Sequence, residues 1–279
     1  MKGIRILSAQ DVSCYGQCSL TVALPILSAL GVETAILPTA ILSTHTAGFT
    51  GFTFHDLQEE LPKIKAHWEK EGIRFDAVYT GYLGSKKDVD IVIDIATSPL
   101  NKGPLIVDPA FGDHGKLYGG FDLDYVNEMK LLCAKSDVLL PNLTEAAFLL
   151  DRPFNPEPSE GEIEEILDGL TKLGAKSIVL KGIGSRPVDT GVIVKNGSLI
   201  QAYSHHKIPQ DFHGTGDIFA SVFVGARLRG LSDIASAQLA ADFVSRAITN
   251  TLDDPKHFYG VKFEPLLVDL AEEVRELTE

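Results

Sequence analysis

Residues 4–42 run IRILSAQDVSCYGQCSLTVALPILSALGVETAILPTAIL. Ile4 to Ser8 is a short β-rich run, Ser19 to Leu30 repeats its apolar residues at the helical period, and Thr34 to Leu42 is β-rich again. Such a strand–helix–strand unit belongs to a parallel sheet covered by helices, because its strands carry apolar residues on both faces. The pattern repeats along the chain. Further β-rich runs stand at Ala77 to Thr80, Leu105 to Val107, Val138 to Leu140 and Ile178 to Leu180. Amphipathic stretches lie between them at Asp56 to Glu71, Lys87 to Thr97, Leu123 to Ala134 and Glu160 to Leu173. Alternation at this spacing predicts βαβ units with right-handed crossovers. Glu33 to Thr39 reads differently, as do Gly191 to Lys195 and Ser198 to Tyr203, and the last two flank the hairpin signal Asn196-Gly197. The expected fold class is therefore α/β, a mainly parallel central sheet with helices on both faces and an antiparallel edge. The remainder is helical, at Gly216 to Arg229, Asp233 to Thr251 and Glu264 to Leu277. Arg152 to Gly161, with three prolines, reads as a surface loop, so residues 1–279 are expected to form one domain.

Composition narrows the function. With 44% hydrophobic and 23% charged residues the chain is neither disordered nor collagenous. Its 38 acidic and 25 basic side chains leave a net charge of −13, which repels phosphate backbones and anionic lipid. Neither nucleic acid nor a membrane surface is an expected partner. The amino-terminal stretch Met1 to Ser8 is charged and leads into a run too short for a signal peptide, and no apolar run approaches the roughly 18 residues of a membrane span. Three cysteines, an odd number, suit a reducing compartment, and a soluble cytoplasmic protein is expected. Cys14 and Cys18 lack the further Cys or His residues that would complete a zinc set, so buried thiols are expected there.

In an open α/β sheet ligands collect beyond the carboxyl ends of the strands. Those ends here carry Gln10-Asp11, Thr44-His45-Thr46, Gly81-Tyr82, Asp108 with Gly112-Asp113, Asn142 to Glu145, and Lys181-Gly182. Each alone is what a helix cap needs; together they predict one polar rim. The sharpest motif is Phe212-His213-Gly214-Thr215-Gly216-Asp217-Ile218-Phe219-Ala220. Two glycines allow a tight turn into a helix whose first N–H groups make an anion site. A carboxylate beside such a site is unhelpful for plain phosphate binding. It makes sense if Asp217 takes a proton from a hydroxyl while the amides stabilise a phosphoryl group in transfer. Asn142 and Glu145, three apart at a helix start, read either as ligands for a hydrated Mg²⁺ or as a capping pair. Lys181 reads as a positive charge for phosphates or as a solvated strand end. No P-loop motif is present, nor a Gly-x-Gly-x-x-Gly after the first strand.

These strings resemble the ribokinase-like superfamily of small-molecule kinases, and within it the pyridoxal (pyridoxine, pyridoxamine) kinases. The shared pieces run in order over nearly the whole chain: Gln10 with Tyr15-Gly16, Leu42 to Thr46, Gly81 to Ser85, Val107 to Tyr118, Asn142 to Glu145 and Gly214 to Asp217. The resemblance implies ATP-dependent phosphorylation of the 5′-hydroxymethyl group of a vitamin B6 vitamer, with Asp217 as base and Gly214, Thr215 and Gly216 as anion hole. Asp108, Asn142, Glu145 and Lys181 would serve the nucleotide, with Asp108 and Glu145 on Mg²⁺. Thr46 and Tyr82 would line the vitamer pocket; His45 stands in the same string and reads equally as a buried structural histidine. Asp113, His114, Gly115, Lys116 and Tyr118 match a flexible lid that excludes water. Family members are commonly homodimers and use a monovalent cation such as K⁺. One residue departs from the pattern. Asp11 stands where these kinases have serine, and a carboxylate there suits a protonated pyridine nitrogen. Hydroxymethylpyrimidine kinases of thiamin synthesis also carry an Asp near this position, although their Gly-rich stretch after the first strand is missing here. A non-catalytic nucleotide or vitamer binding protein is the third reading, and it would have no use for a carboxylate at the anion hole.

Overall fold

Strands that are apolar on both faces must be covered on both, and the computed structural model, which describes residues 3–46, 48–184, 186 and 188–279, covers them with two layers of helices. Met1 and Lys2 of the amino-terminal stretch lie outside the described residues. The first part of the chain runs β1 (Ile4–Ser13), α1 (Leu20–Ala29), β2 (Val32–Leu42), β3 (Phe54–Asp56), α2 (Leu61–Lys70), β4 (Ala77–Thr80), α3 (Lys86–Thr97) and β5 (Leu105–Val107). A small hairpin of β6 (Gly112–Asp113) and β7 (Lys116–Leu117) follows, then α4 (Leu123–Cys133), β8 (Val138–Leu139), α5 (Leu143–Leu149), α6 (Glu160–Leu173) and β9 (Ser177–Lys181). The hairpin β10 (Asp189–Asn196) and β11 (Leu199–His206) leads to α7 (Thr215–Leu228), α8 (Asp233–Thr249) and α9 (Leu267–Thr278).

The main sheet has the order β11-β10-β9-β8-β5-β4-β1-β2-β3. Its centre, from β9 through β2, is parallel; β10 and β11 make an antiparallel edge on one side and β3 on the other. Alternate residues feed two cores. Ile6, Tyr79, Ile106 and Val179 face the layer of α1, α7, α8 and α9, packing with Phe223 and Phe243. Leu7, Val78, Val107 and Leu180 face the opposite layer, with Val92, Met129 and Leu167. Among the described residues no helix is long and apolar enough to cross a membrane.

Several expectations are corrected. Strand β1 continues through Ala9 to Ser13, because its polar second half is held by the ladder to β2. β2 is parallel to β1 throughout, so the antiparallel edge on that side is β3 instead of Glu33 to Thr39. Asp56 ends β3, and the following helix starts only at Leu61, with Pro62 in its first turn, where a missing N–H costs nothing. The last helix likewise opens with a 3₁₀ turn, Glu264–Leu266, carrying Pro265.

Candidate active site

From β1 the chain moves to β2 on one side and later returns to β4 on the other, and ligand crevices open at such a reversal. A cavity of about 970 Å³ lies at these carboxyl ends. Asp11, Tyr82, Asp108, Asn142, Glu145 and Lys181 reach it from the strand ends, and Gly214, Thr215, Gly216 and Asp217 from the start of α7. His45 and Thr46 enter from the loop after β2, and Asp113, His114, Lys116 and Tyr118 from the β6–β7 hairpin. The rim is less continuous than the strand ends suggest: Gln10, Thr44, Gly81, Gly112, Leu143 and Thr144 are off the wall, and so is Gly115 of the expected lid. Gly115 sits at the hairpin turn with φ +74°, its N–H donating to Thr144 Oγ1 at 2.9 Å.

Gly214 caps α7 in the left-handed region (φ +78°), and a Cβ there would lie 1.9 Å from the Gln17 carbonyl oxygen, so only glycine fits. Gly216 differs: a Cβ would meet no protein atom, and its bare backbone borders the cavity. The N–H groups of Thr215, Gly216 and Asp217 precede the first intrahelical bond, Ile218 N–H to Gly214 C=O at 3.0 Å, and so form the positive end of the helix. The Asp217 carboxylate accepts the Ser19 N–H at 3.0 Å. Burial pushes its pKa up to about 7; the Ser19 N–H opposes the rise, Asp108 and Asp11 add to it, and Lys181 opposes it. A base poised near neutrality is what deprotonating an alcohol at physiological pH requires.

Asn142 and Glu145 form a complete capping box at α5: Asn142 Oδ1 accepts the Glu145 N–H at 2.9 Å and Glu145 Oε2 accepts the Asn142 N–H at 2.8 Å. Glu145 Oε1 also takes the Phe111 N–H at 3.3 Å, and Asn142 Nδ2 donates to the Gly112 carbonyl at 2.9 Å, which ties the hairpin to α5. Lys181 Nζ meets Asp108 Oδ1 at 2.9 Å, with Asp108 buried and Lys181 largely so. Burial pushes Glu145 up to about 8, with Lys181 opposing and Asp108 adding to the rise. Burial also works against the Lys181 charge, but Asp108 and Glu145 outweigh it and hold the ammonium firmly protonated.

Asp11 faces an irregularity of the ladder, where β2 has one residue more than β1 between the pairs Gln10–Pro38 and Val12–Ile41. Its carboxylate is buried, which raises its pKa, and it accepts the Ser13 hydroxyl at 2.9 Å. Tyr82 is backed by Phe121, ring centroids 5.2 Å apart, which in turn stacks on Tyr125. His45 Nε2 lies 3.0 Å from the Tyr259 carbonyl, so that nitrogen carries the hydrogen; burial lowers its pKa and keeps the ring neutral. The expectation of buried thiols at Cys14 and Cys18 fails for Cys14, which is exposed, and holds in part for Cys18, which is half-buried; Cys133 is buried. Burial, then Asp217 and Asp11, push the Cys18 thiol far up and keep it protonated. Sequence reasoning missed Ser19. It reads as an ordinary helix cap, yet it takes φ +50°, makes no side-chain cap bond and turns its N–H to Asp217.

Amides at a helix start beside a carboxylate poised near neutrality, at the switch point of a mixed sheet, define a ribokinase-like phosphotransferase with an alcohol group as acceptor. The chain belongs to the phosphomethylpyrimidine kinase family, whose model matches residues 23–261. It is similar to a candidate phosphomethylpyrimidine kinase from Bacteroides thetaiotaomicron VPI-5482, solved in a form with pyridoxal, at 37% identity over 96% of each chain with a TM-score of 0.91. Pyridoxal kinase from Lactobacillus plantarum is 32% identical over 99% of each chain, TM-score 0.90. The hydroxymethylpyrimidine/phosphomethylpyrimidine kinase of Bacillus subtilis (strain 168) is 29% identical over 77% of this chain and 78% of its own.

Proposed function

We propose that the chain acts as one catalytic domain that transfers the γ-phosphoryl group of ATP to the 5′-hydroxymethyl group of a vitamin B6 vitamer. The observation that carries this reading is the Asp217 carboxylate beside the α7 amides on the wall of the cavity. Asp217 takes the hydroxyl proton as the oxygen attacks phosphorus, and the Thr215 and Gly216 N–H groups stabilise the charge spread over the moving phosphoryl oxygens. Lys181 offsets phosphate charge. The hairpin β6–β7 stands over the cavity and keeps water from the phosphoryl group. Asp11 takes the protonated pyridine nitrogen, and Tyr82, backed by Phe121, lies against the ring. These two residues favour a B6 vitamer, as does the likeness to the protein solved with pyridoxal.

The donor set also fits Mg²⁺. Asp108 and Glu145 are both buried; Asp108 pairs with Lys181, and the charges of Lys181 and Asp108 both act on Glu145. Among the described residues no group of three or more His, Cys, Asp or Glu side chains is placed to chelate an ion, so a bound Mg²⁺ would draw its remaining ligands from water and phosphate oxygens. When bound it would neutralise phosphate charge.

Hydroxymethylpyrimidine is the second substrate reading, favoured by the family match and the Bacillus subtilis relative. A coupled ADP-release assay with pyridoxal, pyridoxine, pyridoxamine and hydroxymethylpyrimidine separates the two. Turnover of a vitamer is expected. Turnover of the pyrimidine alone selects the second reading, and silence with all four refutes both.

A further inference from the structure

The stretch between β1 and α1 borders the cavity at Cys18 and bonds to Asp217 through its last residue, Ser19, and it is held at the steps before that. Gly16, at φ +105°, lies against the His45 imidazole, where a Cβ would come within 2.1 Å of the ring. Gln17 then makes three contacts. Its N–H donates to the Tyr259 carbonyl at 3.1 Å, its Nε2 donates to Glu264 Oε1 at 2.5 Å, and its own carbonyl presses on Gly214. The side chain also packs against Gly260, where a Cβ would meet it at 2.5 Å. Two residues on, Ser19 adopts φ +50°, a conformation costly for serine, and gives its N–H to Asp217. A residue persists in such a conformation only where its surroundings over-determine it. Here the carboxyl-terminal segment 259–264 holds the stretch on one side and the turn before α7 holds it on the other. Gln17 is the residue that touches both. Neither Gln17 nor Glu264 falls in the span 23–261 that matches the family.

We infer that Gln17 is a positioning residue for phosphoryl transfer: by bridging Glu264 and the Gly214 turn it keeps the Ser19 N–H aimed at Asp217. The inference rests on Asp217 being the base. A hydrogen bond to a carboxylate is among the stronger kinds, and it fixes the Gln17 amide orientation because only Nε2 can donate. Gln17→Glu sets two carboxylates face to face. Adding Glu264→Gln restores an amide–carboxylate pair with the roles exchanged.

Q17E and Q17E/E264Q are assayed beside the wild type with the vitamer that the wild type turns over, together with hydrogen exchange at the amides of residues 17–19. Q17E is expected to lose roughly tenfold or more in kcat, as small misplacements at a reacting centre do, while KM for both substrates stays within about twofold. The double variant is expected to recover kcat to within about threefold of wild type, because the two sites are in direct contact and couple. Exchange at Ser19 is expected to quicken in Q17E and to slow again in the double variant. Wild-type kcat in Q17E, a loss confined to KM, no recovery in the double variant, or unchanged exchange at Ser19 each overturns the inference. If Q17E does not fold, Q17A, which adds no charge, replaces it with the same expected loss of kcat. A wild type inactive with every tested substrate refutes the proposed function instead, and exchange at Ser19 still decides whether Gln17 holds the stretch.

Discussion

Replacing Asp217 by Asn keeps the shape of the side chain and an acceptor for the Ser19 N–H, and removes the charge. Two effects follow, of opposite sign. In the fold, the carboxyl has been pushed from an ordinary aspartate value near 3.8 up to about 7, chiefly by burial. The folded state therefore holds this proton to higher pH than the unfolded chain does, and ionisation works against the fold. That penalty is nearly absent at pH 3, grows as pH rises through 4, and levels off above about 7. At 1.36 kcal/mol per pK unit it reaches about 4 kcal/mol at pH 8 and about 1.5 kcal/mol at pH 5. Water in the cavity screens part of it, so these are ceilings. The amide does not ionise, so D217N is expected to melt above the wild type by up to about 8 °C at pH 8 and about 3 °C at pH 5, using roughly 2 °C per kcal/mol for a chain of this size. Catalysis moves the other way. kcat is expected to fall by a factor of about 10² to 10⁴, the usual worth of a general base. The wild-type kcat/KM is expected to rise with pH through about 7, where the base ionises. Thermal melts at the two pH values and steady-state assays of both proteins are the measurements. A melting difference that does not widen from pH 5 to pH 8, or a D217N protein with wild-type kcat, refutes the placing of an ionisable base there.

Three further outcomes are expected. Gly214→Ala forces a Cβ onto the Gln17 carbonyl at φ +78°, so it should lower both melting temperature and kcat, whereas Gly216→Ala meets no protein atom and should melt normally while losing turnover; equal melting temperatures for the two would contradict the geometry. Lys181→Met leaves Asp108 without its ion pair, and removing one partner of a buried pair costs about 3–5 kcal/mol, so the melting temperature should fall at pH 8 and KM for ATP should rise. Alkylation with iodoacetamide at pH 8, read by mass spectrometry, should label exposed Cys14 quickly and spare Cys18 and Cys133, whose thiols burial keeps protonated.

The central strands could be read from sequence because a parallel strand buried on both faces has no polar alternation to obscure it: Ala77–Thr80 and Leu105–Val107 stand as read. The edges were harder. Phe54–Asp56 pairs through three residues and is largely exposed, so neither length nor apolarity marks it as a strand. Ala9 to Ser13 reads as a loop because Gln10, Asp11 and Ser13 are polar; they are strand nonetheless, since polar side chains there turn to the cavity or to one another while the backbone stays in the ladder. The rim was legible because each residue ends a recognisable strand. What holds the rim in place was not. The Ser19–Asp217 bond spans 198 residues and depends on a backbone angle, which residue type does not announce.

The charge of the site points to its chemistry. Asp11, Asp108, Glu145 and Asp217 crowd one cavity, with the Lys181 ammonium paired to Asp108 and Lys116 and Lys207 further along the wall. For a site that merely bound a phosphate this would be self-defeating, since the acids repel the anion and raise one another's pKa. For a site that accepts a proton from a hydroxyl, recognises a protonated ring and admits its polyanion with a divalent cation, each carboxylate has a partner. The acids thus divide by what meets them: Asp108 pairs with Lys181, whose charge also acts on Glu145, while Asp11 is tied by Ser13 at the end of β1 and Asp217 by Ser19 at the start of α1. Phosphoryl transfer from a nucleotide to a cationic, hydroxylated ring is a reaction that uses both halves of that division.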